Sequence, residues 1–357
     1  MKLVCWNVNG WNPTCEKVKE RFTSVRGFLD HIVSELSSSK GQGEGNSDDG
    51  VVLCLQEVKL TEDKLTKENC VMDDEGFESY WACCRKRRGY SGVATILDSP
   101  MFRPHCVQLD TLSETVDGEG RFLSVDIGPC VVINVYVPNS GLGKKSKSNV
   151  GDGSEQCTEG ERVRYKLEFL KQLLEHCRQL VEEEKKEVIL VGDFNACFDA
   201  RDVHPAIGLE KAFLECEIQA LHAFTKDGLF TDVFRRRHPM AHTSYTCFDE
   251  RTNARAYNRG VRIDFVFVTA GLVPLVKQCS IVPGTTVPAK LSDHCALFLD
   301  IDIVPDCEER KPVQEWRMLR KKLLNTNQKT ILGMFGKRPF VSQSDENDTN
   351  VGKKAKS

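Results

Sequence analysis

The chain has no Cys-x-x-Cys pair among its 16 cysteines, no apolar run approaching a membrane span, and no strong excess of either charge over its 357 residues. Each absence excludes something. Without Cys-x-x-Cys, neither a zinc ribbon nor a thioredoxin-like dithiol is supported. Cys5, Cys54 and Cys295 instead sit within or beside apolar runs, where thiols behave as small hydrophobes. A membrane helix needs about 20 apolar residues, so no membrane partner is expected. The first residues, MKLVCWNVNG, pass from a few apolar side chains straight into Asn and Gly, unlike a signal peptide. A reducing intracellular compartment is the expectation. The net charge of -3 does not mark out a polyanion binder, and no solenoid-type repeat is present.

What is present is uneven. From Arg310 to Ser357 there are 12 Lys/Arg against 4 Asp/Glu, a local charge of +8 that leaves the rest of the chain at -11. An acidic body with a basic tail suits a carboxylate cluster that binds a cation, beside a polycation-like segment. With 40% hydrophobic residues there is material for a sizeable core. Ser37–Gly50 and Ser140–Gly160 are rich in Ser, Gly and charge and read as surface insertions. After Ile303 the chain turns polar and basic. The expected organisation is therefore a catalytic domain over 1–304 and a largely disordered basic tail over 305–357.

Within the body, Leu3–Trp6, Val51–Leu55, Val93–Leu97, Phe122–Ile127, Val131–Val137, Val188–Val191, Ile263–Val268 and Ala296–Ile301 read as buried strands. Tyr165, Phe169, Leu170, Leu173, Leu174, Cys177, Leu180 and Val181 recur at helical spacing. A weaker helix is predicted over Leu209–Phe224. Strands interleaved with helices indicate a layered α/β domain.

The chemistry lies where these strands stop. CWNVNG, LCLQE, VYVPN, LVGDFN, VRIDF and LSDHC each put polar residues at or beside the end of an apolar run. Strand ends open onto one rim of a sheet, so Asn7, Asn9, Glu57, Tyr136, Asn139, Asp193, Asn195, Asp264, Asp293 and His294 can converge there. The set offers hard oxygen ligands for Mg²⁺, or Mn²⁺ in its place, together with amides, a phenol and a His–Asp pair. It contains no serine or cysteine nucleophile with a local signature. Water activated by a base, with a metal neutralising phosphate charge, is the chemistry such a set supports. Singly each piece is weak: a glutamate after a strand is commonly a solvated end, GDxN is a common turn, and SDH is a plausible cap. Six in one chain are hard to credit to chance.

WNVNG, LQEVK, GYSGVA, EGR, NVYVPN, GDFN, SYT, NAR, RIDF and SDH, in that order, closely resemble the exonuclease III/apurinic-apyrimidinic endonuclease family, part of the endonuclease/exonuclease/phosphatase superfamily. The resemblance spans Lys2 to about Ile303. GYSGVATI and the RYKLEF helix look nearest to the second apurinic-apyrimidinic endonuclease subfamily. The resemblance implies a four-layer sandwich of two mixed β-sheets flanked by helices. It also implies a DNA phosphodiesterase of base-excision repair, acting at abasic sites or at 3′ ends. By the same resemblance Glu57 and Asn9 match metal-ligand positions, with Asp193, Asn195, Asp293 and His294 as further ligand candidates. Asp193 handles a proton, Asn195 and Tyr136 stabilise developing phosphate charge, and Asp264 partners His294. Asn7, Arg121 and Asn139 match DNA-facing positions. One metal ion and two both remain open. Nuclear residence is expected from the basic tail, with the mitochondrion as alternative, and a monomer is expected.

Further contacts are read from composition. Arg85–Arg88 are placed to hold phosphates or form a solvated hairpin; Arg235–Arg237 read as solvated surface. Trp11, Phe248 and Phe265 are candidates to line a sugar pocket, or core. Gln328, Ile331 and Phe335 resemble the spacing of a sliding-clamp-binding box, with Met334 where an aromatic is usual. Only Cys307 lies beyond residue 300, so the C-terminal zinc finger of larger subfamily members is not expected here. Two other readings remain: a same-fold phosphodiesterase on RNA or phospholipid head groups, and an inactive clamp-binding adaptor. The adaptor would be marked by loss of Glu57, Asp193, Asn195 or His294.

Overall fold

The computed structural model describes residues 1–37, 50–141, 159–304 and 311–335, leaving aside the side chains of 73, 159 and 326–335. Fourteen strands are formed among these residues: β1 (Lys2–Asn7), β2 (Val51–Gln56), β3 (Phe77–Ala82), β4 (Val93–Asp98), β5 (Cys106–Leu109), β6 (Phe122–Asp126), β7 (Val131–Tyr136), β8 (Val188–Asp193), β9 (Phe230–Asp232), β10 (Cys247–Phe248), β11 (Gly260–Val261), β12 (Asp264–Thr269), β13 (Val276–Ile281) and β14 (Leu297–Ile301). They assemble into one six-stranded sheet of order β13-β14-β1-β2-β4-β3, a second of order β5-β6-β7-β8-β12-β9, and the small β10-β11 ladder. In each large sheet a single parallel pair, β1–β2 and β7–β8, sits inside antiparallel neighbours.

Strand alternation decides what each face meets. In β7, Val132 points into the core shared with the first sheet, where it joins Leu3, Val52, Cys54, Ile96, Ile189 and Val266. Val131, Ile133 and Val135 point the other way, against Phe169, Leu170 and Leu173 of α3 (Glu159–Arg178). The helices α1 (Trp11–Phe22) and α2 (Val25–Ser37) flank the first sheet; Val25, Phe28, Leu29, Ile32 and Leu36 form the buried stripe of α2. Beside α3 run the short α4 (Leu209–Ala212) and α5 (Glu215–Lys226), which presses Leu221 and Phe224 onto the second sheet. A single turn, α6 (Val233–Arg237), follows β9. The layers are helix, sheet, sheet, helix, as the resemblance implied.

One polar clasp crosses the middle layer. Gln56 Nε2 donates to Asn134 Oδ1 at 2.7 Å, and Asn134 Nδ2 donates to the Ala94 carbonyl at 2.8 Å. Buried amides satisfied this way fix one registration of the two sheets, since a slip would strand them without partners.

The body does not stop near residue 304. The helix α7 (Gln314–Phe335) lies beyond the expected boundary, and its Trp316 and Leu323 enter the core, Trp316 meeting Tyr80 of β3 at 6.4 Å between rings. The reading of 305–357 as largely disordered is corrected for 314–335. Its cause is a buried tryptophan in an otherwise charged segment, which composition alone did not weight. The side chains of Gln328, Ile331 and Phe335, the clamp-box candidates, lie outside the described residues, as do most residues of both insertions. Replacing Trp316, 2% exposed, by alanine is expected to lower unfolding stability by about 3–5 kcal/mol, read from the urea midpoint.

Candidate active site

The ends of β1, β2, β7 and β8 and the start of β12 meet at one rim of the stacked sheets. Asn7 closes β1, and its side-chain amide donates to Glu57 Oε1 at 3.1 Å and to Asp193 Oδ2 at 2.9 Å. One neutral group thus bridges a carboxylate from each sheet. Tyr136, the last residue of β7, donates its hydroxyl to the same Glu57 Oε1 at 2.8 Å. Burial and the Glu57 charge push the Tyr136 phenol far above its ordinary value, so it stays a protonated donor.

Register sets the next feature. Asp264, opening β12, pairs directly opposite Asp193, closing β8. Burial and, after it, the neighbouring Asp264 charge together raise Asp193 to about 7 against the opposing pull of His294. The last member, His294, arrives from the loop before β14. Ser292 Oγ ties that loop to β1 by donating to the Asn7 carbonyl at 2.7 Å, and Trp6 Nε1 donates to the His294 carbonyl at 3.3 Å. His294 Nδ1 lies 2.9 Å from Asp264 Oδ2, and Nε2 lies 3.9 Å from Asp193 Oδ2. Burial alone would lower the imidazole, but the Asp264 carboxylate raises it well above its usual value, so the ring carries a proton at neutral pH.

Asn195 sits in an Asx turn, its backbone N–H donating to Asp193 Oδ1 at 2.8 Å. Its amide donates to the Val137 carbonyl at 3.0 Å and accepts from Asn139 Nδ2 at 2.9 Å. Asn139 is exposed at the rim. At the outer edge Asn9 Nδ2 donates to Asp293 Oδ1 at 3.1 Å.

The oxygens of Glu57 and Asn9 also converge on one point, and Lys59 marks it: Nζ lies 2.8 Å from Glu57 Oε2 and also donates to Asn9 Oδ1. Burial would raise Glu57, but the Lys59 charge and the bonds from Asn7 and Tyr136 hold it below the ordinary carboxylate value. Two hard oxygens that share one cation, with Asp193 beyond the Asn7 amide, form a donor set suited to Mg²⁺ or Mn²⁺. Asp193, Asp264 and His294 are a second cluster whose ligand atoms lie within 4.8 Å of one another, and Asp264 Oδ1 is buried without a hydrogen-bond partner among the described residues. Hydrogen bonds already occupy Oδ1 of Asn195 and one of its two Nδ2 protons.

Several expectations are corrected. Arg121 does not face a ligand: it is fully buried, its guanidinium bound to Glu119 at 2.6 Å, the Tyr136 carbonyl at 3.0 Å and the Tyr90 hydroxyl at 2.9 Å. Asn7 is equally buried and spends its amide on Glu57 and Asp193. Both organise the rim from behind. Trp11 packs 6.3 Å from Trp81, and Phe265 lies among Phe194, Phe198 and Phe267, so these two are core. Phe248 is buried under Arg255, 4.6 Å over its ring. Arg235 pairs with Asp202 at 2.7 Å, while Arg85–Arg88 are exposed.

A buried ion pair escaped the sequence reading. Lys166 of α3 and Glu217 of α5, both without solvent exposure, meet at 2.5 Å, and Lys166 Nζ also donates to the Asn195 carbonyl at 2.6 Å. The pair fixes the GDFN turn from beneath. A signal existed: Lys166 stands three, four and seven residues before Phe169, Leu170 and Leu173, on the apolar stripe.

Two stacked mixed sheets between helix layers, with an acid–amide–imidazole centre at one rim, define a four-layer α/β sandwich with a polar cation-binding centre. The sequence model described as Endonuclease/Exonuclease/phosphatase family matches residues 4–294, and the chain belongs to that family. Among curated relatives, the DNA-(apurinic or apyrimidinic site) endonuclease 2 of Schizosaccharomyces pombe is 26% identical over 84% of this chain, which spans only 58% of that protein's length. The exodeoxyribonuclease of Bacillus subtilis is 29% identical, covering 85% of this chain and 100% of its own. The crystal structure of the Xenopus laevis APE2 catalytic domain superposes with a TM-score of 0.63 at 25% identity, over 89% of this chain and 98% of that one. The resemblance to the exonuclease III/apurinic-apyrimidinic endonuclease family therefore stands.

Removing one member of the buried pair isolates the other's charge. Lys166→Met is expected to cost about 3–5 kcal/mol in chemical denaturation, and Lys166→Met with Glu217→Leu to recover most of it. Equal losses in single and double variants would show that the pair is not the cause.

Proposed function

We propose that this chain is a divalent-metal-dependent DNA phosphodiesterase of base-excision repair, hydrolysing DNA at abasic sites and trimming or unblocking 3′ ends. The observation that carries the reading is the meeting of Glu57, Asp193, Asn195 and His294, from both sheets, at a single rim. Relatives named as an apurinic or apyrimidinic site endonuclease and an exodeoxyribonuclease support the choice of substrate. The four residues whose loss would mark an inactive adaptor are all in place. The exposed Arg85–Arg88 cluster supplies cations for a phosphate backbone.

The chain's own groups divide the work. Asp193, raised to about 7, accepts the proton of the attacking water; a base titrating near neutrality combines availability with driving force. His294, held cationic by Asp264, donates to a non-bridging oxygen as negative charge builds there. The Asn195 amide, anchored by Val137 and Asn139, offers its remaining N–H to the same charge. Tyr136 and Asn7 hold Glu57 in place rather than touching phosphate. Mg²⁺, or Mn²⁺, held by Glu57 and Asn9 would neutralise phosphate charge when bound. Nuclear residence and docking of a sliding clamp through Gln328, Ile331 and Phe335 belong to the same proposal, supported by the basic segment and the motif spacing.

With Mg²⁺ and two labelled duplexes, one bearing an internal abasic site and one a recessed 3′ end, cleavage of at least one is expected. Asn195→Ala should lower kcat about a hundredfold or more, the scale of a lost transition-state donor. The rate should rise with pH while Asp193 deprotonates, at or below about 7, and fall only on the alkaline side where His294 loses its proton. Phosphate release from phosphoinositides in place of either duplex would move the substrate to lipid head groups.

A further inference from the structure

The β10-β11 ladder brings a cysteine to the rim that the mechanism above does not use. Cys247 forms an isolated antiparallel bridge with His294. Phe248 N–H donates to the Asp293 carbonyl at 3.0 Å and Cys295 N–H to the Thr246 carbonyl at 2.7 Å. Bonds on either side of the bridge make Cys247 and His294 a non-hydrogen-bonded pair, the arrangement in which opposed side chains stand closest. The backbone therefore presses the thiol against the imidazole. A carboxylate oxygen of Asp293 completes the group: it, Cys247 Sγ and a ring nitrogen of His294 all lie within 4.8 Å of one another.

We propose that Cys247, Asp293 and His294 form a soft-cation site that takes Zn²⁺ or Cd²⁺, distinct from the all-oxygen locus at Glu57 and Asn9. Metal–ligand distances near 2.3 Å for sulfur and 2.0–2.2 Å for nitrogen and oxygen place tetrahedral ligands roughly 3.3–3.7 Å apart. Side-chain rotations that draw in three atoms already within 4.8 Å of one another therefore close the site. The imidazole is prepared for it. His294 Nδ1 is bound to the Asp264 carboxylate at 2.9 Å, the partner that metal-ligating histidines keep on the ring nitrogen away from the metal. That leaves Nε2, which takes the cation by giving up the proton it carries at neutral pH. Thiolate and imidazole select Zn²⁺ and Cd²⁺, whereas carboxylate and amide oxygens select Mg²⁺ or Mn²⁺. Cys247 and Asp293 are half-buried, so the site opens to solvent, and three protein ligands leave a fourth position for water. Occupancy would withdraw His294 from phosphate. That inhibitory consequence rests on the nuclease reading; the binding itself does not.

Titrating the full chain with Co²⁺ tests the binding without any substrate. A sulfur-to-cobalt charge-transfer band is expected, displaced by Zn²⁺, abolished in Cys247→Ser, and retained in Cys106→Ser and Cys216→Ser, which remove exposed thiols. Zinc affinity from competition with a chromophoric chelator should fall about tenfold or more in Cys247→Ser, and also in Asp293→Asn, with the far-ultraviolet circular dichroism unchanged. No band in the unmodified chain, or a full band in Cys247→Ser, would overturn the site. In the nuclease assay, Zn²⁺ should inhibit the Mg²⁺-loaded chain and lose that effect in Cys247→Ser. A chain that binds Co²⁺ through Cys247 yet cleaves no DNA would sink the nuclease reading and leave the soft-cation site standing.

Discussion

Two protons on one amide hold the centre together. Asn7 reaches Glu57 on its own sheet and Asp193 on the facing one, so each carboxylate is satisfied without a positive charge between them. An ammonium there would bind both acids as salt bridges, depress Asp193 and remove a base that titrates near neutrality. An aliphatic group would leave two acids to repel each other across a dry gap. The neutral donor is the choice that separates the acids while keeping both oriented. It works only if the sheets keep their distance, and the Gln56–Asn134 clasp sits one residue behind Glu57 and two behind Tyr136. Fixing the sheets and arranging the acids are consequences of the same layer of buried amides.

The backbone carries a second constraint. Asn9, Glu57 and Asn195 all have φ near +50°, the left-handed region, immediately after or beside the ends of β1, β2 and β8. Asparagine tolerates this conformation because its short amide bonds locally; glutamate does not, and such strain costs about 1–3 kcal/mol. At Glu57 the offset is visible. Val58 N–H donates to the Gly92 carbonyl at 3.1 Å and Lys59 N–H to the Ser91 carbonyl at 2.8 Å, pinning the turn to the GYSGVA segment. Gly92 itself has φ +90°, and a Cβ there would stand 2.7 Å from Val58 Cγ2. Gly192 is needed for a similar reason: a Cβ would stand 1.9 Å from the Val135 carbonyl oxygen, where β7 and β8 run parallel. Two glycines of the motifs thus serve the approach of chains, not the ligand.

These features explain what the sequence could and could not disclose. The eight apolar runs became central strands because burial on both faces leaves a signal that needs no partner. The edge strands of the two large sheets were missed: β5 alternates exposed and buried residues over four positions, and β13 carries Lys277 and Gln278. The acids and amides at strand ends were legible as residue types, since polar groups after apolar runs are conspicuous. Their direction was not. Arg121 reads as a surface cation until Glu119, Tyr90 and the Tyr136 carbonyl are seen to use up its donors, and Lys166 reads as one until Glu217 is found on another helix. Whether a charge faces water or a partner on another element is a tertiary fact that spacing does not hold.

The division of charge along the chain has a physical counterpart in α7. Its buried face, Trp316 and Leu323, rests on the first sheet near the edge strand β3, while Lys322 reaches Glu62 at 3.1 Å. Exposed ion pairs of this kind contribute little, about 0–1 kcal/mol, so the apolar contact and not the charge attaches the helix. Edge strands expose unpaired backbone groups that invite association, and among the described residues β3 pairs only with β4. A basic helix packed beside that edge does two things at once. It obstructs strand addition there, and it presents a positive surface on an otherwise acidic body.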